Sequence, residues 1–158
     1  MEIEQKYKVA QLPVGYEACE KKEIEQGYLC TSPVVRIRKS NEDYILTYKS
    51  KLGMKDCKTV AMCNELEAPL TQEGYLHLKE KADGMMIAKT RYLVPLEDGH
   101  LAELDVFHGE HEGLMIVEVE FSSEEEAHSF TAPEWFGENV SDDKRYTNKW
   151  LAFHRDWR

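Results

Sequence analysis

The sequence predicts an α+β domain built on a closed antiparallel β-barrel of about eight strands with helices packed outside. Three observations predict it. Segments of period-two alternation recur along most of the chain, and many are joined by short turn sequences, which favours antiparallel pairing. Nearly every such segment sets Arg, Lys, Glu or Asp two apart on one face and apolar residues on the other. The remaining segments carry single apolar stripes at helical spacing. The economical arrangement turns the apolar strand faces outward, under the helices, and the charged faces inward, which inverts the usual rule for a sheet.

At 158 residues the chain is expected to form one domain, 1–158, long enough to bury a core. A formal net charge of −10 argues against nucleic acid as a partner, although local arrangement decides whether a small anion binds. No apolar run is long enough to span a membrane and no leader pattern is present, so a cytoplasmic protein without a membrane partner is expected. Cys19, Cys30, Cys57 and Cys63 lack metal-type spacing and read as reduced packing residues.

In chain order, residues 1–9 alternate Glu2, Glu4, Lys6 and Lys8 with Ile3, Gln5, Tyr7 and Val9, predicting the first strand. Pro13 and Gly15 mark a turn, residues 16–22 read as a short helix, and 23–30 return as a strand until Thr31, Ser32 and Pro33 break it. Residues 34–39 place Arg36 and Arg38 opposite Val35 and Ile37; after the turn residues Asn41, Glu42 and Asp43, residues 44–50 put Ile45, Thr47 and Lys49 on one face. Residues 58–68 set Glu65 and Glu67 opposite Leu66, and Pro69 stops the strand. Thr71 is placed to cap a helix over 72–82 with a Tyr75, Leu78, Ala82 stripe. Residues 86–96 turn Lys89 and Arg91 to one face. Past the Glu97-Asp98-Gly99 turn, 100–107 set Glu103 and Asp105 opposite Ala102, Leu104 and Val106. His108-Gly109-Glu110-His111 reads as an exposed turn, and 114–121 set Glu118 and Glu120 opposite Val117, Val119 and Phe121. Ser122 and Ser123 cap a helix to about residue 130, whose Glu124, Glu125 and Glu126 suit the helix dipole. Residues 133–140 read as a loop. Ser141 or Asp142 caps a final helix to about residue 156 with Tyr146, Trp150, Phe153 and Trp157 as its buried stripe.

Burying charge is costly unless it is paired or coordinated. Here the two signs come in similar number on the shared faces, so a wet lumen holding divalent cations and a polyanion is the consistent reading. All-carboxylate oxygen clusters suit Mg²⁺ or Mn²⁺ rather than zinc, and Arg forks with Lys point charges suit phosphate.

The segment Glu2-Ile3-Glu4-Gln5-Lys6 resembles the N-terminal E-x-E-x-K signature of the CYTH superfamily, the triphosphate tunnel metalloenzymes. The likeness extends in order through Gln-Gly-Tyr-Leu at 26–29, Val-Arg-Ile-Arg at 35–38, Glu-Leu-Glu at 65–67, Lys-Thr-Arg-Tyr at 89–92, Glu-Leu-Asp at 103–105, Val-Glu-Val-Glu at 117–120 and Arg-Tyr-Thr-Asn at 145–148. The resemblance implies an eight-stranded antiparallel tunnel and divalent-metal-dependent hydrolysis of a triphosphate, with inorganic tripolyphosphate the expected substrate. It implies metal ligation by Glu2 and Glu4 at one ion and by Asp105, Glu118 and Glu120 at a second. Lys6, Lys8, Arg36, Arg38, Lys49, Lys89, Arg91 and Arg145 would contact phosphate, and Glu65, Glu67 and Glu103 would be supporting tunnel carboxylates. Lys89 would orient or deprotonate the attacking water, and Tyr28 would place substrate at the tunnel mouth. Thiamine triphosphatase or class IV-type adenylyl cyclase chemistry is the alternative within the family style, and a noncatalytic polyphosphate or nucleotide binder the alternative outside it. The outer barrel surface or the final helix would serve a homodimer, though no feature demands one.

Overall fold

The computed structural model describes residues 1–55 and 57–158. Strands β1 (Glu2–Val9), β2 (Glu20–Thr31), β3 (Val34–Ser40), β4 (Asp43–Ser50) and β5 (Ala61–Pro69) precede helix α1 (Gln72–Lys79). Strands β6 (Asp83–Pro95), β7 (Leu101–His108) and β8 (Met115–Glu120) follow, then helix α2 (Glu124–Ser129), strand β9 (Phe136–Asn139) and helix α3 (Asn148–Leu151). All pairings are antiparallel, in the order β5-β4-β3-β2-β6-β7-β8-β1. β1 then pairs back onto β5 through Glu2 with Cys63, Ile3 with Met62 and Glu4 with Ala61, which closes an eight-stranded barrel. Further along the same strand, Tyr7 and Val9 pair with Asn139 and Phe136 of β9, so β5 and β9 occupy β1 end to end.

The turns follow from local chemistry. Asn41, between paired Ser40 and Asp43, takes a left-handed φ of 53°, a conformation Asn tolerates better than most residues. Thr71 caps α1 by accepting from the Gly74 amide at 3.0 Å, and Ser123 caps α2 by accepting from Glu126 at 3.1 Å.

Alternation decides what each face meets. The outward apolar residues of β1, β7 and β8 (Tyr7, Ala102, Leu104, Val117 and Val119) are buried with Phe121, Ala127 and Phe136 in a core under α2 and the segment that leads into β9. Gln5 fastens α2 to β1, its amide donating to the Ala127 carbonyl at 3.0 Å. The inward positions change character along the barrel. At one end Tyr28, Ile87, Phe107 and Ile116 pack against Tyr146, Leu151 and Ala152, so apolar side chains fill the bore beside α3. Elsewhere the inward positions are mostly charged, with neutral residues such as Ile24, Ile45 and Cys63 among them.

Four expectations are corrected. Residues 16–22 form only a 3₁₀ turn, Tyr16–Ala18, because β2 begins at Glu20 and pairs with β6 from there to Tyr28. The expected loop 133–140 contains β9, whose backbone finds partners on the free edge of β1. The long final helix is a 3₁₀ turn (Lys144–Tyr146) followed by the single turn of α3, and its expected stripe breaks up: Tyr146 is buried but Phe153 is 47 % exposed. The reason is tertiary. The Met85 amide takes the Ala152 carbonyl at 2.7 Å, and a chain bent toward β6 cannot continue as a straight helix. Fourth, His111 is not exposed; it is 1 % accessible, with Nε2 2.8 Å from the His154 carbonyl oxygen. Among the described residues no helix is long and apolar enough to cross a membrane.

Candidate active site

The charged part of the bore is a cavity of about 1000 Å³. Its wall carries both signs, and the register explains where two unmixed clusters gather. On β2, β3 and β4, Tyr28, Arg36 and Thr47 lie side by side, as do Gln26, Arg38 and Ile45. Arg36 Nη2 donates to the Thr47 hydroxyl at 3.1 Å, and that hydroxyl donates to Glu67 at 3.2 Å. Among the described residues, Arg36 Nε is buried without a hydrogen-bond partner. Arg38 Nε donates to Gln26 Oε1 at 2.9 Å. Among the described residues neither guanidinium has a carboxylate within ion-pair distance. Burial, then Arg36 and Arg91, push the Arg38 guanidinium below its ordinary range, the mark of positive charge lacking a counterion. A guanidinium stays charged under such pressure, so this wall presents unneutralised cations and one orphaned N–H.

Across the cavity, Glu2, Glu4 and Glu120 bring carboxylate oxygens within 4.8 Å of one another. They meet because Glu4 on β1 is paired with Glu120 on β8, and Glu2 follows two residues away on the same face. Burial and Glu118 drive the Glu4 carboxyl well above the usual range. Burial, with Glu103, Glu2 and Glu118, drives Glu120 up to about 7. Burial also opposes ionisation of Glu118, but Lys6, Arg91 and Lys89 outweigh it and hold that carboxyl low. Three repelling oxygen donors fit a hard divalent cation, whose charge would relieve the repulsion.

Between these walls lies a buried clamp. Asp105 is 1 % exposed. Its carboxylate accepts from Lys89 Nζ at 2.7 Å, Arg91 Nε at 2.7 Å and Arg91 Nη2 at 2.9 Å. Arg91 also reaches Glu103 at 3.1 Å, and Lys89 Nζ donates to Asn148 Oδ1 of α3 at 3.3 Å. Burial lowers the Lys89 ammonium to about 7 against the opposing pull of Asp105, with Arg91 and Arg38 adding to the lowering.

Glu2, Glu4, Lys6, Tyr28, Arg36, Arg38, Lys49, Glu65, Glu67, Arg91, Glu103, Glu118 and Glu120 all line the cavity. Lys49 bridges Glu2 at 2.8 Å and Glu65 at 3.3 Å. Lys6 donates to the Tyr146 carbonyl at 3.1 Å and lies 4.0 Å from Glu118. Asp105 and Lys89 stand behind the wall rather than on it, and the oxygens of Asp105 that were expected to ligate metal are taken by Lys89 and Arg91. Lys8 does not reach the lumen: it leaves past Tyr146 and sits 4.0 Å from Glu138. Arg145 also points away, pairing with Asp143 at 2.7 Å, because the 3₁₀ turn that carries it faces solvent. Tyr28 is 3 % exposed in the apolar end of the bore, not at an open mouth.

Sequence reasoning passed over Gln26, Thr47 and Asn148, which orient Arg38, Arg36 and Lys89. Thr47 shares its strand face with Lys49, which is the signal that would have found it; Gln26 has Ile24 and Tyr28 beside it on its face, and only the cross-strand register brings it to Arg38. Asn148 lies in the Arg-Tyr-Thr-Asn segment, where Arg145 carries the more conspicuous charge.

No family model matches the chain. It is 42% identical over 154 residues to an inorganic triphosphatase of Nitrosomonas europaea, covering 96% of each chain. It is 33% identical over 130 residues to an inorganic triphosphatase of Acetivibrio thermocellus, covering 80% of this chain and 78% of that one. Its fold matches a crystal structure of an inorganic triphosphatase with a TM-score of 0.71 at 39% identity, covering 98% of this chain and 95% of that one.

Proposed function

The chain belongs to the inorganic triphosphatases of the CYTH superfamily, and from that premise we propose that its lumen binds inorganic tripolyphosphate with a divalent cation and hydrolyses it to pyrophosphate and phosphate. The observation that carries the substrate assignment is the presence in one cavity of two opposed charge clusters: the Arg36–Arg38 pair with its orphaned N–H and no carboxylate partner, and the converging Glu2, Glu4 and Glu120 carboxylates, of which only Glu2 has a cation, Lys49, within ion-pair distance among the described residues.

Phosphoryl transfer asks a protein mainly for positioning and charge neutralisation. Arg36 and Arg38 are held at fixed angles by Thr47 and Gln26, so they grip phosphate oxygens without first losing side-chain freedom. Arg91, fixed by Asp105 and Glu103, supplies a third oriented cation, and Lys49 and Lys6, held by Glu2 and Glu65 and by the Tyr146 carbonyl, supply two more on the cavity wall. Glu2, Glu4 and Glu120 would hold the divalent cation, with Glu118 adjacent; Mg²⁺ or Mn²⁺ suits oxygen donors of this kind. When bound, such a cation neutralises phosphate charge and acidifies coordinated water.

Lys89 is assigned to the attacking water. An amine drawn toward pH 7 is suited to take a proton near neutrality. Its Nζ has no exposed surface and rests on Asp105 and Asn148, so reaching water requires those contacts to loosen as substrate enters. Water's oxygen bonds to the terminal phosphorus as the bond from that phosphorus to the bridging oxygen breaks; the bridging oxygen leaves with pyrophosphate, and the water's proton goes to Lys89 and from there to the pyrophosphate or to solvent.

Incubation with tripolyphosphate, ATP and thiamine triphosphate, each with Mg²⁺ or Mn²⁺, tests this reading through release of phosphate, pyrophosphate and cyclic AMP. Tripolyphosphate is expected to be the best substrate, and Glu4→Gln is expected to abolish turnover. Full activity in excess EDTA would overturn the cation's role. Cyclic AMP as the main product would favour cyclase chemistry.

A further inference from the structure

A second convergence of ligand atoms lies outside the barrel. Cys57, in the segment before β5, comes together with Glu124 and His128 of α2, with one potential ligand atom from each within 4.8 Å of the others. Glu124 and His128 share a face of the helix at the i, i+4 spacing, and His128 Nε2 lies 3.5 Å from Glu124 Oε1. Cys57 and Glu124 are partly buried while His128 is 50 % exposed in its side chain, so the cluster is anchored but open to solvent on one side. Lys55 Nζ stands 4.0 Å from the other oxygen of Glu124, close enough to compete weakly for it. None of these residues belongs to the lumen.

The donor set differs from the one in the bore. Glu2, Glu4 and Glu120 offer only oxygen, which suits a hard cation. A thiolate, an imidazole and a carboxylate match the borderline-soft preference of Zn²⁺, and three protein ligands leave the fourth tetrahedral position for water. Cysteine and histidine also keep the two sites chemically apart, since a thiolate discriminates strongly against Mg²⁺.

We propose that Cys57, Glu124 and His128 form a zinc-class metal site, separate from the tunnel and of different selectivity. Its position gives it a mechanical consequence. The segment carrying Cys57 also carries Lys51, Leu52 and Gly53, which line the rim of the cavity. A cation held by Cys57 and α2 ties that rim segment to the helix that Gln5 fastens to β1.

The test uses Co²⁺ as a spectroscopic stand-in for Zn²⁺, added to the full-length protein with the tunnel saturated with Mg²⁺. A near-ultraviolet thiolate-to-cobalt charge-transfer band with tetrahedral visible absorption is expected at one equivalent, displaced by Zn²⁺. Cys57→Ser should remove the band, and His128→Gln should weaken Co²⁺ binding by about tenfold or more. Glu4→Gln, which alters the tunnel alone, should leave the band in place. Circular dichroism confirms that each variant is folded. No charge-transfer band, or one that survives Cys57→Ser, would overturn the proposal. So would loss of the band in Glu4→Gln. Each of these outcomes leaves tripolyphosphate hydrolysis untouched, so the two readings fail separately.

Discussion

Replacing Asp105 by Asn tests the buried clamp most directly. The carboxylate accepts three charged hydrogen bonds at 2.7, 2.7 and 2.9 Å, from side chains that are 0 % exposed (Lys89) and 9 % exposed (Arg91). Asn keeps the shape but loses the charge and one acceptor, leaving the Arg91 guanidinium facing a single carbonyl oxygen and Lys89 without the carboxylate that helps keep it protonated. Removing one partner of a buried ion pair costs about 3–5 kcal/mol. At roughly 2–4 °C per kcal/mol for a chain of this size, Tm should fall by about 6–20 °C. Lys89→Met added to Asp105→Asn removes a buried amine that has lost its main acceptor, and the double variant should recover ~1 kcal/mol or more relative to the sum of the single changes. The assay is urea unfolding at pH 7 without divalent cation. A loss below ~1 kcal/mol for Asp105→Asn, with additive singles, would refute the clamp. If stability held while cation affinity fell, Asp105 would be a metal ligand after all.

Arg36→Ala and Arg38→Ala should each weaken tripolyphosphate binding by about 10- to 100-fold, from the ~1.5–3 kcal/mol of a charged hydrogen bond; isothermal titration checks this, with solvent-facing Lys39→Ala as the unaffected control. Glu4 and Glu120 keep protons above the ordinary carboxylate value of 4.5, with Glu120 near 7, so these groups favour the folded, cation-free protein less as pH rises through that window. Divalent cations must displace the same protons, so affinity should climb from pH 5 to 7 and then level off, and calorimetry in buffers of different ionisation enthalpy should detect proton release near pH 6; pH-independent affinity would refute it. Lys89→Met should cut kcat by about 10²-fold or more with little change in tripolyphosphate affinity, and an unchanged rate would remove Lys89 from proton transfer. Gly84 has a φ of +69°, and a Cβ there would stand 2.4 Å from the Ala152 carbonyl oxygen, so Gly84→Ala should lower Tm and loosen α3, visible as faster amide exchange at Ala152.

The barrel was legible because alternation survives any tertiary context: a strand with Arg36 and Arg38 on one side has only two faces, and pairing eight such strands fixes which face is shared. The lumen set followed for the same reason. What failed were places where a tertiary partner overrode local preference. Residues 144–156 have a helical stripe in sequence, yet the Met85–Ala152 hydrogen bond and the close approach to Gly84 bend the chain after a single turn. That bend turns Arg145 outward and brings Asn148 to Lys89. Glu-x-Asp on a strand looks the same whether it faces a metal or a buried cation, so the sequence alone does not tell a ligating Asp105 from a paired one; only the register that sets Arg91 opposite Asp105 separates the two. Cys57 and His128 could not be linked from sequence, since 71 positions separate them and neither spacing is periodic.

β1 completes the cylinder with only three residue pairs to β5, and two of those three β1 residues are Glu2 and Glu4. The latch of the barrel and the acidic grip on a cation are therefore one short stretch of chain beside an exposed Met1. Whatever fills the bore must also hold the latch shut, and an emptied enzyme should breathe there before anywhere else. Its N-terminal amides would then record the enzyme's filling and emptying, cycle by cycle, as a tightening and slackening of the staves.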